Sequence, residues 1–155
     1  MQLAKKWIAW LVRGGRNAIH PGGVLAVVSG AECGSMSRTT LFIYGTLKTG
    51  QQSHELLAGQ EFVRAVETMP IYRLYSLGWH PGLVIDKTSG LRVQGELWSV
   101  DDQTLAKLDE YEGVPHWYSR DFVAIADLVA DVQAYFFNGP VPTDAPSGDR
   151  WPFPA

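Results

Sequence analysis

Short apolar runs alternate with glycine, proline and polar turns between residues 39 and 137. Several runs place apolar residues at every second position, and they are rich in β-branched and aromatic residues, which is typical of β-strands. The pattern predicts about seven strands, at residues 41–44, 61–67, 71–77, 83–86, 91–100, 117–126 and 131–137. The turn at residues 87–90 is expected to join the fourth and fifth of them in a hairpin.

One later segment has the spacing of an amphipathic helix instead. Apolar residues recur at i, i+3 and i+6 from Leu105, and Ser99 or Asp101 can cap the N-terminus. The helix is expected to end near Gly113, and residues 54–57 predict one further helical turn. Strands followed by a late helix predict an α+β fold, a small mostly antiparallel β-barrel with flanking helices.

The N-terminal segment, residues 1–36, lacks this pattern. Its apolar run at residues 7–12 is flanked by basic residues and is shorter than the roughly 7–15 residues of a signal peptide core. We interpret residues 1–36 as a weakly ordered extension or as the result of a misassigned start, with Met36 as the alternative start. A weak membrane-associating helix is the other interpretation.

The C-terminal segment, residues 141–155, is predicted to be a proline-rich tail following a domain at residues 37–140. Such composition favours an extended or mobile segment. Trp151 or Phe153 is expected to fold back onto an apolar patch.

Composition narrows the class of protein. Hydrophobic residues make up 46% and charged residues 19%, as in globular proteins. Residues 1–36 carry a net charge of +3, from four basic residues and one acidic residue, whereas the remainder carries nine basic and fifteen acidic residues, a net of −6. An acidic body gives no support for nucleic-acid binding, and no apolar run has the length of a membrane span.

Cysteine and histidine content also limits the chemistry. Cys33 is the single cysteine, which precludes an internal disulfide and allows a reducing compartment, so we expect a cytoplasmic protein. The four histidines lack metal-site spacing, and no metal is predicted. Cys33 is a weak candidate for a nucleophile because it lies in the extension. His80 is interpreted as a loop residue and not as a catalytic one.

The first candidate for chemistry is the turn that follows the strand at residues 41–44. The strand runs directly into Gly45 and a polar loop. Such a turn can direct several backbone N–H groups into one space, where they hold a carboxylate or an oxyanion. Gly45 has no Cβ and would let a ligand approach the backbone. The alternative is an ordinary turn at the end of a strand.

The second candidate is the end of the predicted helix. Asp109, Glu110 and Glu112 lie there without a basic residue, although a helix C-terminus favours positive charge. Aromatic neighbours would desolvate a carboxylate and raise its pKa toward neutrality, as a general base requires. Glu112 is preferred to Glu110 because it adjoins the flexible Gly113 and can face a cavity. The alternative is a solvated acidic helix end.

Together these stretches resemble the γ-glutamylcyclotransferase-like (AIG2-like) family over roughly residues 39–137. The resemblance is carried by four motifs: Tyr44-Gly45-Thr46-Leu47-Lys48, Gly95-Glu96-Leu97-Trp98, Leu105-x-x-Leu108-Asp109-x-x-Glu112-Gly113 and Tyr118-Ser119-Arg120. It implies a small β-barrel with flanking helices and a cavity at one mouth.

The resemblance also implies a reaction. The α-amine of a γ-glutamyl group attacks its own γ-carbonyl, giving 5-oxoproline and a free amine, with Glu112 as acid/base and no metal or organic cofactor. Trp79 is a candidate for the rim of the pocket, and Tyr118 for a wall or a hydrogen-bond donor. The residues predicted to contact the small-molecule γ-glutamyl substrate are Tyr44, Gly45, Thr46, Leu47 and Tyr118.

Two other functions fit the same residues. The cavity could belong to a non-catalytic module that binds a γ-glutamyl or 5-oxoproline metabolite. Alternatively, Glu112 could activate water in an amidase or hydrolase. The sequence does not predict the leaving amine or the oligomeric state.

Overall fold

The computed structural model describes residues 37–154. The predictions for residues 1–36, including the extension, the alternative start and the membrane-associating helix, lie outside the described residues. Within the described range the chain forms eight strands, one α-helix and one 3-10 helix. In chain order they are β1 Arg38–Ile43, the 3-10 helix His54–Leu57, β2 Glu61–Glu67, β3 Tyr72–Ser76, β4 Pro81–Ile85, β5 Gln94–Asp101, α1 Asp102–Glu112, β6 Tyr118–Phe122, β7 Gln133–Phe137 and β8 Ser147–Gly148.

The strands form two sheets. The larger has the order β2-β5-β1-β7-β6, and the smaller has the order β4-β3-β8. All pairs are antiparallel except β1 and β7, which are parallel. The predicted α+β class with a mostly antiparallel sheet is therefore confirmed, whereas the strand ladders of residues 37–154 do not close into a barrel.

The predicted hairpin between the fourth and fifth strands is wrong. β4 pairs with β3, and β5 pairs with β1 and β2. After the turn at residues 87–90, the backbone N–H of Leu91 donates to the carbonyl of Tyr72 at 2.7 Å. Tyr72 also pairs with Ile85 of β4, so the turn carries the chain past β3 and into the larger sheet.

The sequence of β1 ends in an uninterrupted apolar run because both faces of this strand are buried. Leu41 and Ile43 contact the cluster that includes Leu108 of α1. Phe42 and Tyr44 point the other way, into a second cluster that the smaller sheet shares. This central strand ends at the turn where the candidate chemistry lies.

The C-terminal segment packs on the domain. Gly148 of β8 pairs with Leu74 of β3, and Trp151 and Phe153 pack against the cluster between the sheets. The expectation that these aromatic residues fold back onto an apolar patch is confirmed. The division of the chain at residues 36 and 140 stays a prediction. None of the helices found in residues 37–154 combines the length and apolar character needed to cross a membrane.

Candidate active site

The C-terminus of α1 is set by local signals that the sequence displays. At the start, Asp101 Oδ1 accepts a hydrogen bond from the Thr104 backbone N–H at 2.7 Å, which is an N-cap. At the end, Gly113 adopts a left-handed conformation, with φ of 67°, which glycine adopts without steric cost. Glu112 is therefore the last residue of the helix, and its last turn contains no basic residue.

The three carboxylates near this end have different surroundings. Asp109 forms an ion pair with Arg120, whose Nε lies 2.8 Å from Oδ1, and it accepts a hydrogen bond from Tyr135 Oη at 2.8 Å. Glu110 is exposed. Glu112 is only partly exposed, and its carboxylate has no hydrogen bond or ion pair with any residue between 37 and 154. Asp109 therefore anchors the helix, and Glu112 is left available.

Burial raises the pKa of Glu112 from 4.5 to about 7. The physical cause is loss of solvation of the charged form, because protein surrounds the carboxylate on most sides. A carboxyl group with a pKa near 7 exchanges its proton readily at neutral pH, which suits a general acid/base. This environment agrees with the expectation that a carboxylate at this helix end is desolvated.

Three buried tyrosines feel the charge of Glu112. The pKa values of Tyr44, Tyr118 and Tyr135 are all raised, chiefly by burial, and the negative charge of Glu112 contributes to each. Tyr44 Oη donates to the Tyr135 carbonyl at 2.7 Å, and Tyr118 Oη donates to the Pro81 carbonyl at 2.9 Å. Tyr44 and Tyr118 thus lie within range of the Glu112 charge, and their contact with a substrate stays a prediction.

The turn after β1 presents unpaired backbone donors. Its fold is closed by hydrogen bonds from Lys48 N to the Gly45 carbonyl and from Ser53 N to the Thr46 carbonyl. The N–H groups of Gly45, Thr46 and Leu47 donate to no acceptor within residues 37–154. The Thr46 hydroxyl also has no hydrogen bond within that range, although its residue is largely buried. Three successive free N–H groups are the arrangement that can hold an anion.

The turn is fastened to the helix end and to β5. Ser53 Oγ lies 2.7 Å from Tyr111 Oη, and Tyr111 immediately precedes Glu112 in α1. Glu96 Oε2 accepts hydrogen bonds from the Thr49 backbone N–H at 3.1 Å and from Trp98 Nε1 at 2.9 Å. The two stretches singled out in the sequence, the turn and the helix end, are therefore neighbours in the fold. The Leu47 side chain is buried in the core, which leaves only its backbone for ligand contact.

Gly45 has a packing role that the sequence does not reveal. A Cβ at this position would lie 2.9 Å from Pro81 Cγ, which is too close for unstrained packing. The space beside Gly45 is therefore filled by the proline ring, and the backbone of the turn sits directly on β4.

We expect Gly45→Val to weaken both the fold and substrate binding. The new side chain must displace Pro81, which costs about 1–3 kcal/mol of unfolding free energy as overpacking, and the turn then shifts relative to Glu112. Thermal unfolding would report the first effect, and KM of the folded variant would report the second. An unchanged KM would show that the turn does not line the site.

Two residues of the site environment were not chosen from the sequence as contributors. Tyr135 lies in the apolar run of β7, where an aromatic residue indicates only a strand. His80 was interpreted as a loop residue, but its Nδ1 lies 3.3 Å from Tyr118 Oη. Trp79 is exposed and packs edge-on against His80, with ring centroids 4.4 Å apart; its place at the rim stays a prediction.

Other features of the described residues lie apart from Glu112. A depression of about 420 Å³ opens over β2 and β5, and Glu112 does not line it. Its lining residues are Lys48, Ala65, Val66, Glu67, Gln94, Gly95 and Glu96. Within residues 37–154, no three His, Cys, Asp or Glu side chains are grouped so that they could hold a metal ion.

Comparisons with known proteins identify sequence relatives of this chain. A cattle protein named gamma-glutamylaminecyclotransferase is 37% identical over 109 residues, 63% of this chain and 65% of that protein. A human protein of the same name is 36% identical over 110 residues, 66% of this chain and 71% of that protein. The chain thus spans about two thirds of the length of these relatives.

A comparison of the fold and a family sequence model indicate the same relationship. The structure of a mouse AIG2-like protein superposes with a TM-score of 0.67 at 25% identity, covering 74% of this chain and 88% of that one. The sequence model of the family described as gamma-glutamyl cyclotransferase, AIG2-like, matches residues 41–153. The resemblance stated from the motifs is confirmed, and the chain belongs to the γ-glutamyl cyclotransferase, AIG2-like family.

Proposed function

We propose that this chain is a cyclotransferase that converts a γ-glutamyl amine or γ-glutamyl amino acid into 5-oxoproline and a free amine. The observation that carries the proposal is the Glu112 carboxylate, which is unpaired within the described residues and has a pKa of about 7. The names of the cattle and human relatives support γ-glutamyl amines as the substrate class.

In the proposed reaction Glu112 relays two protons, one after the other, from the substrate α-amine to the leaving amine. The substrate α-amine, with a pKa of about 8, is mostly protonated at pH 7 and must lose a proton to become nucleophilic. Glu112 takes that proton, and the amine nitrogen forms a bond to the γ-carbonyl carbon. The bond from this carbon to the departing nitrogen then breaks as Glu112 gives the first proton to the leaving amine. The ring nitrogen, which still carries two hydrogens, loses one to Glu112, and Glu112 passes this second proton to the released amine, so that a lactam N–H and an ammonium result. The products are 5-oxoproline and the amine, and no other reactant is consumed.

The turn and the tyrosines hold the substrate in this proposal. The free N–H groups of Gly45, Thr46 and Leu47 bind the α-carboxylate or the oxyanion that develops on the γ-carbonyl oxygen. Tyr44 and Tyr118 line the glutamyl part beside Glu112. Because backbone donors are held by the fold of the turn, little reorganisation is needed when charge develops.

The proposal extends to the partner, the architecture and the location of this chain. The substrate is the small-molecule partner. The two sheets act as a barrel-like shell, because Thr68 and Ile125 bridge the edges of the larger sheet. A cytoplasmic location is consistent with a single cysteine.

The proposed base predicts how activity depends on pH. Only the ionised Glu112 carboxylate can accept the proton, and burial raises its pKa to about 7. We therefore expect kcat/KM to fall about tenfold for each pH unit below about 7, as protonation removes the base. The measurement is kcat/KM from pH 5 to 9. A limb centred near 4.5 would contradict a desolvated base.

The test of the function is identification of the product. Purified protein would be incubated with γ-glutamyl amino acids, γ-glutamyl-ε-lysine and glutathione, and the mixtures analysed for 5-oxoproline by mass spectrometry. Formation of 5-oxoproline establishes the reaction, and the pattern across substrates identifies the leaving amine. Free glutamate in its place would indicate an amidase, and ligand binding without either product would indicate the non-catalytic module.

A further inference from the structure

The loop between β3 and β4 carries a histidine that the proposed reaction does not use. The loop is closed by a hydrogen bond from Leu77 N to the His80 carbonyl at 3.0 Å, and Gly78 has a positive φ of 103°, which glycine permits. The strands on either side pair at Ser76 and Pro81. The fold thus holds the backbone of His80 firmly, and its ring is partly buried.

The donor and the acceptor of the hydrogen bond between His80 and Tyr118 can be assigned. Tyr118 Oη lies 2.9 Å from the Pro81 carbonyl and 3.3 Å from His80 Nδ1. A phenol has one hydrogen to donate, and a carbonyl can only accept. Tyr118 therefore donates to Pro81, and it must accept from His80. This requires a hydrogen on Nδ1.

We propose that His80 is a positioning residue, whose Nδ1–H donates to Tyr118 Oη and fixes the orientation of that hydroxyl in the candidate active site. The inference rests on the proposed function for its catalytic consequence, although the hydrogen bond itself does not. Burial lowers the pKa of His80, which favours the neutral ring that the proposed hydrogen bond uses.

The arrangement also changes the role expected of Tyr118. Its proton is committed to Pro81, and one lone pair is taken by His80. The hydroxyl can then act toward the substrate only as an acceptor. The group that it faces must carry an N–H or O–H, such as the substrate α-amine, whose proton Glu112 removes. Of the two roles expected from the sequence for Tyr118, a wall or a hydrogen-bond donor, this proposal replaces the donor by an acceptor.

The first test follows activity. His80→Phe keeps a ring to pack on Trp79 but removes the donor, and we expect a three- to tenfold lower kcat/KM, the usual effect of one neutral hydrogen bond. His80→Asn returns an N–H near the position of Nδ1, and activity should recover to within about twofold. His116→Phe, at an exposed histidine of the loop between α1 and β6, serves as the matched control and should leave kcat/KM unchanged.

A double-mutant cycle separates positioning from a general structural effect. In the Tyr118→Phe background the acceptor is absent, so His80→Phe should have no further effect on kcat/KM. If His80→Phe lowers activity equally in both backgrounds, His80 does not act through Tyr118. The same conclusion follows if His80→Asn is no better than His80→Phe.

A second test does not depend on turnover, so it remains decisive if the proposed function fails. Two-bond ¹H–¹⁵N spectra of histidine-labelled protein at pH 8 report which ring nitrogen carries hydrogen. We expect the Nδ1–H form for His80 in the unaltered protein and loss of that preference in Tyr118→Phe. An Nε2–H form in the unaltered protein would overturn the proposal.

Discussion

Glu112→Gln is expected to lower kcat for 5-oxoproline formation by about 10²–10⁴-fold, the usual contribution of a general acid/base. The amide has nearly the same shape as the carboxylate, but it cannot take a proton from the substrate amine. Because the Glu112 carboxylate has no protein partner within residues 37–154, its replacement leaves no donor there unsatisfied. The fold and ligand binding should therefore persist, which calorimetry with 5-oxoproline and circular dichroism would check.

Glu110→Gln is the matched control for this prediction. It makes the same chemical change two residues earlier on the same helix, at an exposed position. Its kcat should stay within about twofold of the unaltered protein, since exposed substitutions away from the site rarely matter. Retained turnover in Glu112→Gln would remove the catalytic assignment. Equal losses in both variants would point to the charge of the helix end and not to proton transfer.

The second large effect concerns stability. Burial raises the pKa of Glu112 from 4.5 to about 7, so between these pH values the folded chain binds more protons at this group than the unfolded chain. The contribution of Glu112 to the free energy of unfolding is therefore complete below pH 4.5 and declines as pH rises to about 7. At about 1.4 kcal/mol for each pH unit, the total decline is about 3 kcal/mol.

The measurement is the free energy of unfolding by urea at pH 5 and at pH 8. The difference between the unaltered protein and Glu112→Gln isolates this group, because all other titrating residues are shared. We expect the variant to gain about 2–3 kcal/mol on the unaltered protein over this interval. Parallel pH dependence of the two proteins would show that Glu112 is solvated in the folded state.

Together the two outcomes would describe an inactive protein that is more stable at alkaline pH. A desolvated charge is costly for folding and useful for catalysis, so loss of the charge reverses both effects. A residue retained only for structure would show the opposite relation, with lower stability accompanying lower activity.

Local features of this chain could be predicted because they depend on a few neighbouring residues. The Asp101 cap and the left-handed Gly113 define α1 through dihedral preferences and hydrogen bonds that span three or four positions. The apolar run of β1 indicates a buried strand in the same way. For this reason the turn after β1 and the carboxylates at the helix end could be singled out in the sequence.

Pairing between distant segments was decided by the tertiary structure. The turn at residues 87–90 looks like a hairpin turn, yet Leu91 continues beside Tyr72 and β5 joins β1 instead. Both arrangements satisfy the same alternation of apolar residues. The choice depends on which faces can be buried together across the whole domain, and that information is not local.

The chemical features of the site likewise depend partly on local sequence and partly on the fold. The sequence determined that carboxylates lie at a helix end beside aromatic residues, and that a glycine turn follows a buried strand. The tertiary structure decided that Asp109 is paired with Arg120, whereas the Glu112 carboxylate finds no hydrogen-bond or ion-pair partner in the described range 37–154. It also decided that His80 meets Tyr118. Desolvation and hydrogen bonding depend on residues far apart in the chain, so a pKa near 7 becomes visible only when the fold brings them together.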